Sequence, residues 1–477
     1  MQITRRQRVS KITWACIQPL TGGMYLGTKN AMGTMPEYVI SYKGLDEYSF
    51  KKDWCDADGV FTGSEDDYEE GIQTCANEFN LFQYLKKTNQ LPPYFNITNR
   101  AMFEKLSDDD SDLNVTIEKD PYFGTKDKID DLHVDFVVAV PVCSGLSNAT
   151  TTHDKEELDT RNNNMKWITK FVLAKVQPKC YIFENAPGLY GTRGAPVRKI
   201  IEDMALKYGY SVTYYKTDTQ LHDNTQFRPR TFCILWKWQN GKEQNPPKLN
   251  YENKHIDVAE FFARVNKNAP QQRAPEMSVH THAIMLYLKD KAKKEGKTNW
   301  REYISSTDTG MHFIIASGLG NDFKDFVTKS NDFDEKQTAQ VIRGVNHAQE
   351  KFDAGSWIFD TSLKVGRKDR LPTIFHKNTQ CYIHPTEDRL LTIREMLTAM
   401  GMPDDYIMYG NNGDIIHKIG QNVPVRTAQW IASEAKRVLD DWDNLRGKSR
   451  QIGFVKTVNN VEFFDNTKGE KEDEDCD

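Results

Sequence analysis

Short apolar runs and amphipathic stretches alternate over the first half of the chain. Strand-like runs occupy residues 12–17, 38–42, 137–142, 181–183, 211–215 and 231–236. Apolar residues recur at helical spacing over Met165–Leu173 and Val197–Leu206, and Gly209 suits the C-terminal cap of the second helix. This alternation predicts an α/β fold in which helices cover both faces of a mostly parallel sheet.

Three polar motifs lie at the ends of these strand-like runs: Pro141-Val142-Cys143, Glu184-Asn185-Ala186 and Gln226-Phe227-Arg228-Pro229-Arg230. The pattern predicts that a thiol, a carboxyl and two guanidinium groups converge at one edge of the sheet. A thiolate can add to an electron-poor pyrimidine ring. A protonated carboxyl can donate to a ring nitrogen, and arginine can bind an exocyclic oxygen.

Each residue alone has an ordinary structural interpretation. A lone cysteine is usually an inert buried residue. Glu184 suits a helix cap, and alternating arginines suit the solvated face of an edge strand. The order of the three motifs along one chain favours an active site instead.

The order and spacing of these motifs resemble those of the DNA (cytosine-5)-methyltransferase family. Two downstream segments extend the resemblance: Arg389-Leu390-Leu391-Thr392-Ile393-Arg394-Glu395 and Gly420-Gln421-Asn422-Val423-Pro424. The second departs from the family's Gly-Asn pair. Together the similar segments cover about residues 10–46, 115–240 and 385–440.

The resemblance implies covalent catalysis on a flipped-out base. Cys143 would attack carbon 6 of cytosine, Glu184 would protonate or hydrogen-bond nitrogen 3, and Arg230 would contact the exocyclic oxygen. Arg228 would support the same site. The residues expected there are Cys143, Glu184, Arg230, Arg228, Pro141 and Asn185.

The resemblance also implies S-adenosyl-L-methionine as cofactor, bound by a Rossmann-like fold with a mixed, mostly parallel sheet. The family pattern Phe-x-Gly-x-Gly-Gly places Trp14 at the aromatic position that stacks on adenine. Cys16 then replaces the first glycine, and about four residues are inserted before Gly22-Gly23. The expected cofactor residues are Trp14, Ala15, Gly22, Gly23, Asp46, Asp120, Asn422 and Val423.

Two acidic residues complete this set. Asp46 follows the second strand and is assigned to the ribose hydroxyls, although Lys43 stands at the first position after that strand. Asp120 precedes the cysteine loop and is assigned to the adenine amino group; a surface strand end is the alternative. A modified methyl donor also remains open.

The predicted organisation is a split catalytic domain. Its first part spans residues 10–240 with an acidic insertion at about 47–118, and it resumes at 385–445 with helices near Thr392 and over 425–439. Residues 241–384 form a smaller target recognition domain, and 458–477 a disordered acidic tail. The insertion is expected to face away from DNA, or alternatively to mimic DNA towards another protein.

The charge distribution has the sign expected for phosphate contact. Residues 241–380 hold 22 Lys and Arg against 18 Asp and Glu, whereas the whole chain has a net charge of −5. Lys289–Lys297 and Lys364–Arg370 are basic runs that serve either as solvated faces or as phosphate clamps. No base-reading residue can be identified.

Composition excludes several other classes. The 477 residues are 38% hydrophobic, and no apolar run reaches the roughly 18 residues of a membrane helix. The eight cysteines include no CxxC pair, which argues against zinc and against a disulfide framework. We expect a monomer without metal or membrane contact, in the cytoplasm of a bacterial or virus-infected cell.

Three functions remain open at this point. The first is cytosine carbon-5 methylation of double-stranded DNA, and the second is the same chemistry on RNA. The third is a DNA-binding homologue without catalysis, which the altered glycine turn would favour. The long recognition interval favours DNA over RNA.

Overall fold

The structure, a computed structural model, describes most of the chain. The described residues are 11–40, 77–95, 132–143, 145–146, 162–243, 245–250, 252–304, 309–355, 363–365, 370–375, 381–442, 454–458 and 461–467.

The strands build one large central sheet and two small pairs. In chain order they are β1 (Trp14–Ile17), β2 (Tyr38–Ile40), β3 (Phe136–Ala139), β4 (Cys180–Asn185), β5 (Tyr210–Asp218), β6 (His222–Asn224), β7 (Pro229–Lys237), β8 (Lys254–His255), β9 (Lys364–Val365), β10 (Tyr382–Ile383), β11 (Phe454–Val458) and β12 (Val461–Asp465). The central sheet has the order β11-β12-β5-β7-β4-β3-β1-β2. Only β7 and β11 run against the other six strands. The predicted mixed, mostly parallel sheet is confirmed.

The α-helices within the described ranges are α1 (Gly23–Met32), α2 (Asn77–Lys87), α3 (Asn163–Phe171), α4 (Ala195–Tyr208), α5 (Val258–Arg264), α6 (Val279–Lys294), α7 (Gly310–Ala316), α8 (Gly320–Lys329), α9 (Glu335–Asp353), α10 (Ile393–Ala399), α11 (Asn412–Gln421) and α12 (Val425–Asp440). Gly209 ends α4 with a left-handed φ of 77°, as predicted. None of these helices is long and apolar enough to cross a bilayer.

Side chains of the central strands alternate between two hydrophobic cores, because successive strand residues point to opposite faces. Trp14, Cys16 and Val138 pack on the face covered by α1, α2 and α10–α12. Ala15 and Val137 pack on the other face with α3 and α4. Both faces are therefore covered, which explains why the central strands are continuously apolar.

The segment after residue 392 closes the fold by packing on α1. Thr392 and Glu395 form a capping box at the start of α10, and Arg389 binds Glu395 through two nitrogens at 2.9 and 2.8 Å. A Cβ on Gly27 would lie 2.4 Å from the carbonyl oxygen of Val425, so only glycine allows α1 and α12 to approach this closely. The predicted return at 385–445 therefore joins the same core as the first strand.

The predicted interval 241–384 is not uniform. Helices α6 to α9 form a separate hydrophobic core, whereas Leu249, Phe261, Leu371 and Ile374 belong to a core of the central sheet. The helical unit is thus attached through segments that themselves pack against the sheet.

The predicted acidic insertion is partly a core element. Leu81, Phe82 and Leu85 of α2 are buried in the same core as α1. Tyr94 then pairs in parallel with Tyr38 at the edge of the sheet. Residues 77–95 are therefore integral to the fold. The sequence did not indicate this, because acidic runs flank the apolar helix on both sides.

The prediction of a disordered tail from residue 458 is wrong for its first part. Val461–Asp465 form β12, which lies parallel to β5, and Phe464 stacks on Tyr215 with ring centroids 5.1 Å apart. Two acidic residues there are neutralised by lysine: Glu462 lies 3.0 Å from Lys248 and Asp465 lies 3.2 Å from Lys216. The charge count obscured the alternation of apolar residues that makes this segment a strand.

Candidate active site

The three motifs meet at one edge of the central sheet. β3 and β4 end at this edge, whereas the antiparallel β7 begins there at Pro229. Cys143 lies four residues beyond the end of β3. Glu184 is the last residue but one of β4 and lies opposite Phe232 of β7. Arg230 pairs with Thr217 of β5 on the next strand. The sheet thus brings the thiol, the carboxyl and the guanidinium groups together as predicted.

Hydrogen bonds hold the loop that carries the thiol. The Val142 N–H donates to Asn164 Oδ1 at 2.9 Å, and the Leu146 N–H donates to the carbonyl of Cys143 at 3.0 Å. Pro141 is buried, whereas Cys143 is partly exposed. Asn164 is the second residue of α3, which follows this loop. It was not identified from sequence, because an asparagine in a run of three carries no distinguishing signal.

Glu184, which is buried, and Arg230, which is partly exposed, form a close ion pair. Arg230 Nε lies 2.7 Å from Glu184 Oε1, and the Glu184 side chain is only 4% exposed. Burial raises the pKa of Glu184 above its ordinary value, while Arg230 and Arg228 oppose the rise. A raised pKa favours the protonated carboxyl, and only the protonated form can donate a hydrogen bond.

The same charges act on the thiol. Burial raises the pKa of Cys143 above its ordinary value and the Glu184 carboxylate adds to the rise, whereas Arg230 and Arg228 lower it. Below that pKa the resting cysteine is a neutral thiol. Protonation of Glu184 would remove one of the two causes of the rise and so favour the thiolate.

Arg228 has a different set of partners from Arg230. Its guanidinium donates to the carbonyl oxygens of Ile374 at 2.5 Å, Gly420 at 2.7 Å and Asn422 at 2.8 Å. The side chain is 1% exposed. Arg228 was expected to support the base site; its contacts make it a clamp between three chain segments behind that site.

Asn185 also acts on the backbone. It is fully buried, and its Oδ1 accepts the N–H of Ala186 at 3.0 Å where the chain leaves β4. This contact shapes the turn that follows Glu184 and Asn185 at the end of β4.

The glycine turn lies between β1 and α1. Gly22 has a φ of 105°, which favours glycine, and the Gly23 N–H at the start of α1 donates to Asn422 Oδ1 at 2.9 Å. A Cβ on Gly23 would lie 1.7 Å from the carbonyl oxygen of Val423. Four expected cofactor residues, Gly22, Gly23, Asn422 and Val423, are therefore assembled from opposite ends of the chain.

The expected stacking role of Trp14 disagrees with its position. Trp14 and Ala15 begin β1 at the far end from the catalytic edge and are fully buried, and the indole N–H of Trp14 donates to the Thr34 carbonyl. β1 ends at Ile17, so the family pattern counted back from Gly22-Gly23 places its aromatic position on Gln18 and needs no insertion. A pattern that begins at Trp14 would instead lie partly inside β1.

The two predicted acidic cofactor residues, Asp46 and Asp120, lie outside the described residues. A different carboxyl lies at the glycine turn. Glu78 of α2 is buried, accepts a hydrogen bond from the Leu20 N–H and lies near Lys418; burial raises its pKa to about 7. Only this tertiary contact identifies Glu78, because in sequence it lies beside a long acidic stretch.

The basic run Lys289–Lys297 is largely neutralised. Lys289 binds Asp388, Lys291 and Lys297 bind Glu295, and Lys294 binds Asp290. These pairs favour a solvated face over a phosphate clamp. The described part of the chain contains no cluster of three or more side chains suited to a metal ion.

Comparison with known proteins agrees with this geometry. The sequence model of the family described as "C-5 cytosine-specific DNA methylase" matches residues 110–437. M.MjaORF1200P of Methanocaldococcus jannaschii is 22% identical over 311 residues, which are 64% of this chain and 66% of that protein. DNA (cytosine-5)-methyltransferase 1A of Oryza sativa subsp. japonica is 21% identical over 395 residues, 72% of this chain but only 25% of that protein.

Solved structures show weak overall similarity. The Entamoeba histolytica methyltransferase EhMeth has a TM-score of 0.43 and 10% identity, with 91% of this chain and 99% of that chain covered. The S. pombe Dnmt2 methyltransferase has a TM-score of 0.41 and 11% identity, with the same coverage.

The family match is decisive because it includes all three motifs of the catalytic edge and the Asn422–Val423 loop, and spans more than half of the 477 residues. The resemblance predicted from the motifs is confirmed: the chain belongs to the C-5 cytosine-specific DNA methylase family.

Proposed function

We propose that this protein transfers a methyl group from S-adenosyl-L-methionine to carbon 5 of cytosine in double-stranded DNA. The single observation that carries the proposal is the ion pair between the buried Glu184 and Arg230 beside the partly exposed Cys143 thiol. An inert core cysteine would need neither a buried carboxyl with a raised pKa nor two guanidinium groups beside it.

Cys143 is the nucleophile in this proposal. Its thiolate adds to carbon 6 of the cytosine, and the electron pair displaced through the ring is stabilised by a proton or hydrogen bond from Glu184 at nitrogen 3. Arg230 binds the exocyclic oxygen and fixes the Glu184 carboxyl at the same time. Carbon 5 then becomes nucleophilic and accepts the methyl group. Loss of the carbon 5 proton to a base and expulsion of the Cys143 thiolate restore the aromatic ring.

The target base has to leave the duplex to reach this edge. Carbons 5 and 6 of cytosine are stacked inside DNA, and flipping the nucleotide costs a few kcal/mol. Cys143 lies in a loop beyond the end of β3, outside the packed sheet, where an extruded base can approach it. Only a base held against Glu184 and Arg230 would be activated, which confines the chemistry to the flipped state.

The residues at the glycine turn fit S-adenosyl-L-methionine. Gln18, Leu20 and Gly22 all have positive φ, so the backbone folds into a tight turn at the N-terminus of α1, an arrangement that suits nucleotide ligands. Gly22, Gly23, Asn422 and Val423 would hold the cofactor, which when bound supplies the methyl group. Asn422 fixes the turn by accepting the Gly23 N–H.

We further propose the helical unit α6 to α9 as the centre of the target recognition domain. It is attached through Leu371–Ile374, which contacts the motif carrying Arg228 and Arg230. Recognition of DNA and positioning of the catalytic guanidinium groups would then involve the same segment, Leu371–Ile374.

The first experiment measures modified nucleosides by mass spectrometry in DNA and RNA from cells expressing wild type, Cys143→Ala or Cys233→Ala. Cys233 is a fully buried strand residue and serves as the matched control. We expect 5-methylcytosine in DNA with wild type and Cys233→Ala only. The mark in RNA alone would replace the DNA proposal by the RNA one, and no mark in either would favour a homologue without catalysis.

A second assay isolates the covalent step. DNA carrying 5-fluorocytosine at the mapped site cannot lose a proton from carbon 5, so the cysteine adduct should persist through denaturation. Wild type should form this adduct and Cys143→Ala should not. An adduct that forms with Cys143→Ala would contradict the assigned nucleophile.

A further inference from the structure

Helix α9 buries one face in the helical unit α6 to α9 and leaves the opposite face exposed. Val341, Val345 and Ala348 are buried in the core that α9 shares with the other helices of the unit. A Cβ on Gly344 would lie 2.6 Å from His280 Nε2, so α9 lies close against α6. The buried face therefore determines which side chains of α9 point outward.

The outward face carries a stripe of polar side chains. Intervals of four, three and four residues place the following side chains on one side of the helix: Lys336, Gln340, Arg343 and His347. All four are exposed, as is Asn346 beside them. The sequence from the first to the last of these residues contains no Asp or Glu, in a chain whose net charge is −5. The stripe therefore offers cationic, amide and imidazole groups without a carboxylate.

The fold does not use most of these side chains. Within the part of the chain that the structure describes, no hydrogen bond or ion pair is formed by the side chains of Lys336, Gln340, Arg343 or Asn346. His347 lies 4.0 Å from Glu350, whose side chain is 79% exposed. The donors and acceptors at the middle of the stripe are therefore open to a ligand.

The other helices of the unit lack such a stripe. On α6, three lysines are paired with carboxylates at 2.7, 2.6 and 2.6 Å. On α8, Lys329 lies 3.6 Å from Asp325. Helix α7 is only seven residues long. Among these helices, α9 is therefore the one that presents amide and cationic side chains together without carboxylates between them.

The helical unit contacts the segment that returns to the catalytic core. Asp388 binds three residues of the unit: Lys289 at 2.7 Å, Trp300 Nε1 at 3.2 Å and Arg301 Nη2 at 2.8 Å. Leu390, two residues further on, is buried in the core of the unit. Residues 388–390 thus connect the unit to the start of α10, which packs on the central sheet.

We propose that α9 enters the major groove of the substrate DNA and reads base edges with Gln340, Arg343 and Asn346. This inference rests on the proposed function, which supplies duplex DNA as the partner. The major groove is about 12 Å wide and admits an α-helix. Arginine can bind two acceptors of guanine, and the amides can bind adenine in the same bidentate way.

The charge of the stripe suits this partner. The absence of carboxylates between Lys336 and His347 avoids repulsion from the phosphates on both sides of the groove. These two residues lie at the ends of the stripe, where contacts to phosphate would position the helix. The three residues between them would supply the sequence specificity.

The test selects the preferred binding sequence of each protein from a library of random duplex DNA. It compares wild type, Arg343→Gln and Asn346→Ala with two matched controls, Lys293→Gln on α6 and Asn321→Ala on α8. Both control positions are exposed, and their substitutions remove a charge and an amide from the same helical unit. Urea unfolding verifies that every variant is folded.

We expect wild type and both controls to enrich the same sequence. Arg343→Gln should bind that sequence about tenfold more weakly and lose its preference at one base pair. Asn346→Ala should lose its preference at a different base pair. If Arg343→Gln enriches the wild-type sequence and binds all DNA more weakly to the same extent, Arg343 contacts phosphate and the proposal is overturned.

Purine analogues with carbon in place of nitrogen 7 test the groove. The replacement removes one acceptor from the major groove and leaves base pairing intact. At the base pair for which Arg343→Gln loses its preference, 7-deazaguanine should weaken binding by wild type and have no further effect on Arg343→Gln. Equal losses in both proteins would overturn the assignment of Arg343 to that base.

Failure of this inference is distinguishable from failure of the proposed function. If wild type enriches a sequence that Arg343→Gln relaxes, yet leaves no 5-methylcytosine, the chemistry fails while the recognition helix stands. If wild type methylates DNA and Arg343→Gln and Asn346→Ala methylate the same sites equally well, the recognition helix fails while the chemistry stands. Binding of wild type to duplex DNA without any sequence preference would also overturn the inference.

Discussion

Replacing Arg228 should destabilise the fold, in contrast to replacing Arg230 two residues away. In Arg228→Met the carbonyl oxygens of Ile374, Gly420 and Asn422 lose their donor while remaining buried. A buried polar group left unpaired costs about 1–3 kcal/mol. Three such groups would cost about 3–9 kcal/mol, and removal of a costly buried charge offsets part of this, so we expect a loss of about 3–5 kcal/mol.

Arg230→Met is the matched control. The Arg230 side chain is 16% exposed and its main partner is Glu184, whose pKa is already raised by burial. The carboxyl can take up a proton when the guanidinium is removed, so we expect a loss of only about 1 kcal/mol. Because Arg230 is assigned to the base itself, kcat should fall by about 10²–10³.

Urea titration followed by tryptophan fluorescence gives the free energy of unfolding of each variant. Methylation is then measured below the unfolding transition, per folded molecule. Arg228→Met with the wild-type midpoint and slope, and with a kcat as low as that of Arg230→Met, would refute the clamp and assign both arginines to the substrate. Arg228→Lys should lie between, since an ammonium group cannot reach all three carbonyls in one plane.

Three further predictions concern the cofactor turn, the thiol and the C-terminal strand. Asn422→Ala should lower the free energy of unfolding by about 1–3 kcal/mol and weaken S-adenosyl-L-methionine binding in calorimetry, because the Gly23 N–H loses its acceptor; Asn422→Asp, which keeps an acceptor, should bind better than alanine. The rate of Cys143 alkylation by iodoacetamide, followed by peptide mass spectrometry, should rise about tenfold per pH unit throughout the neutral range, because the raised pKa keeps the thiol neutral there. Arg230→Met should slow alkylation at every pH in this range, because Arg230 lowers the pKa of the thiol. A rate that is already constant above pH 7 would contradict the raised pKa. Phe464→Ala should cost about 3–5 kcal/mol in urea unfolding because the ring is buried against Tyr215, and a cost near zero would show that β12 is dispensable.

Local periodicity was sufficient to predict the sheet and the helices that flank the motifs. The helices of 165–173 and 197–206 appear as α3 and α4, and the closing helix appears as α12. In each case the apolar residues recur with the helical period and so form one face that can pack against the sheet. The prediction was wrong at 461–465, where the acidic residues indicated a disordered tail but the segment forms a strand. The charges of Glu462 and Asp465 are balanced by Lys248 and Lys216 from distant segments.

The glycine turn shows a second kind of limit. The pattern was anchored on the aromatic Trp14, yet the strand continues to Ile17 and the turn starts at Gln18. Leu20 occupies the place of the first glycine with a φ of 52°, a conformation that costs a side-chain-bearing residue about 1–2 kcal/mol. Sequence pattern could not indicate that Glu78 holds this turn through the Leu20 N–H.

The two arginines of the third motif show most clearly where sequence reasoning stops. Spacing by two residues predicts that Arg228 and Arg230 lie on one face of a strand, and both do lower the pKa of Cys143. The two arginines nevertheless have different hydrogen-bond partners. Arg228 donates to the carbonyl oxygens of residues 374, 420 and 422, which are 146–194 residues away in sequence. Their arrangement leaves Arg230 as the guanidinium paired with Glu184. A motif can therefore identify the chemical groups of the site, whereas the tertiary packing around it decides which guanidinium pairs with the Glu184 carboxyl and which holds the structure together.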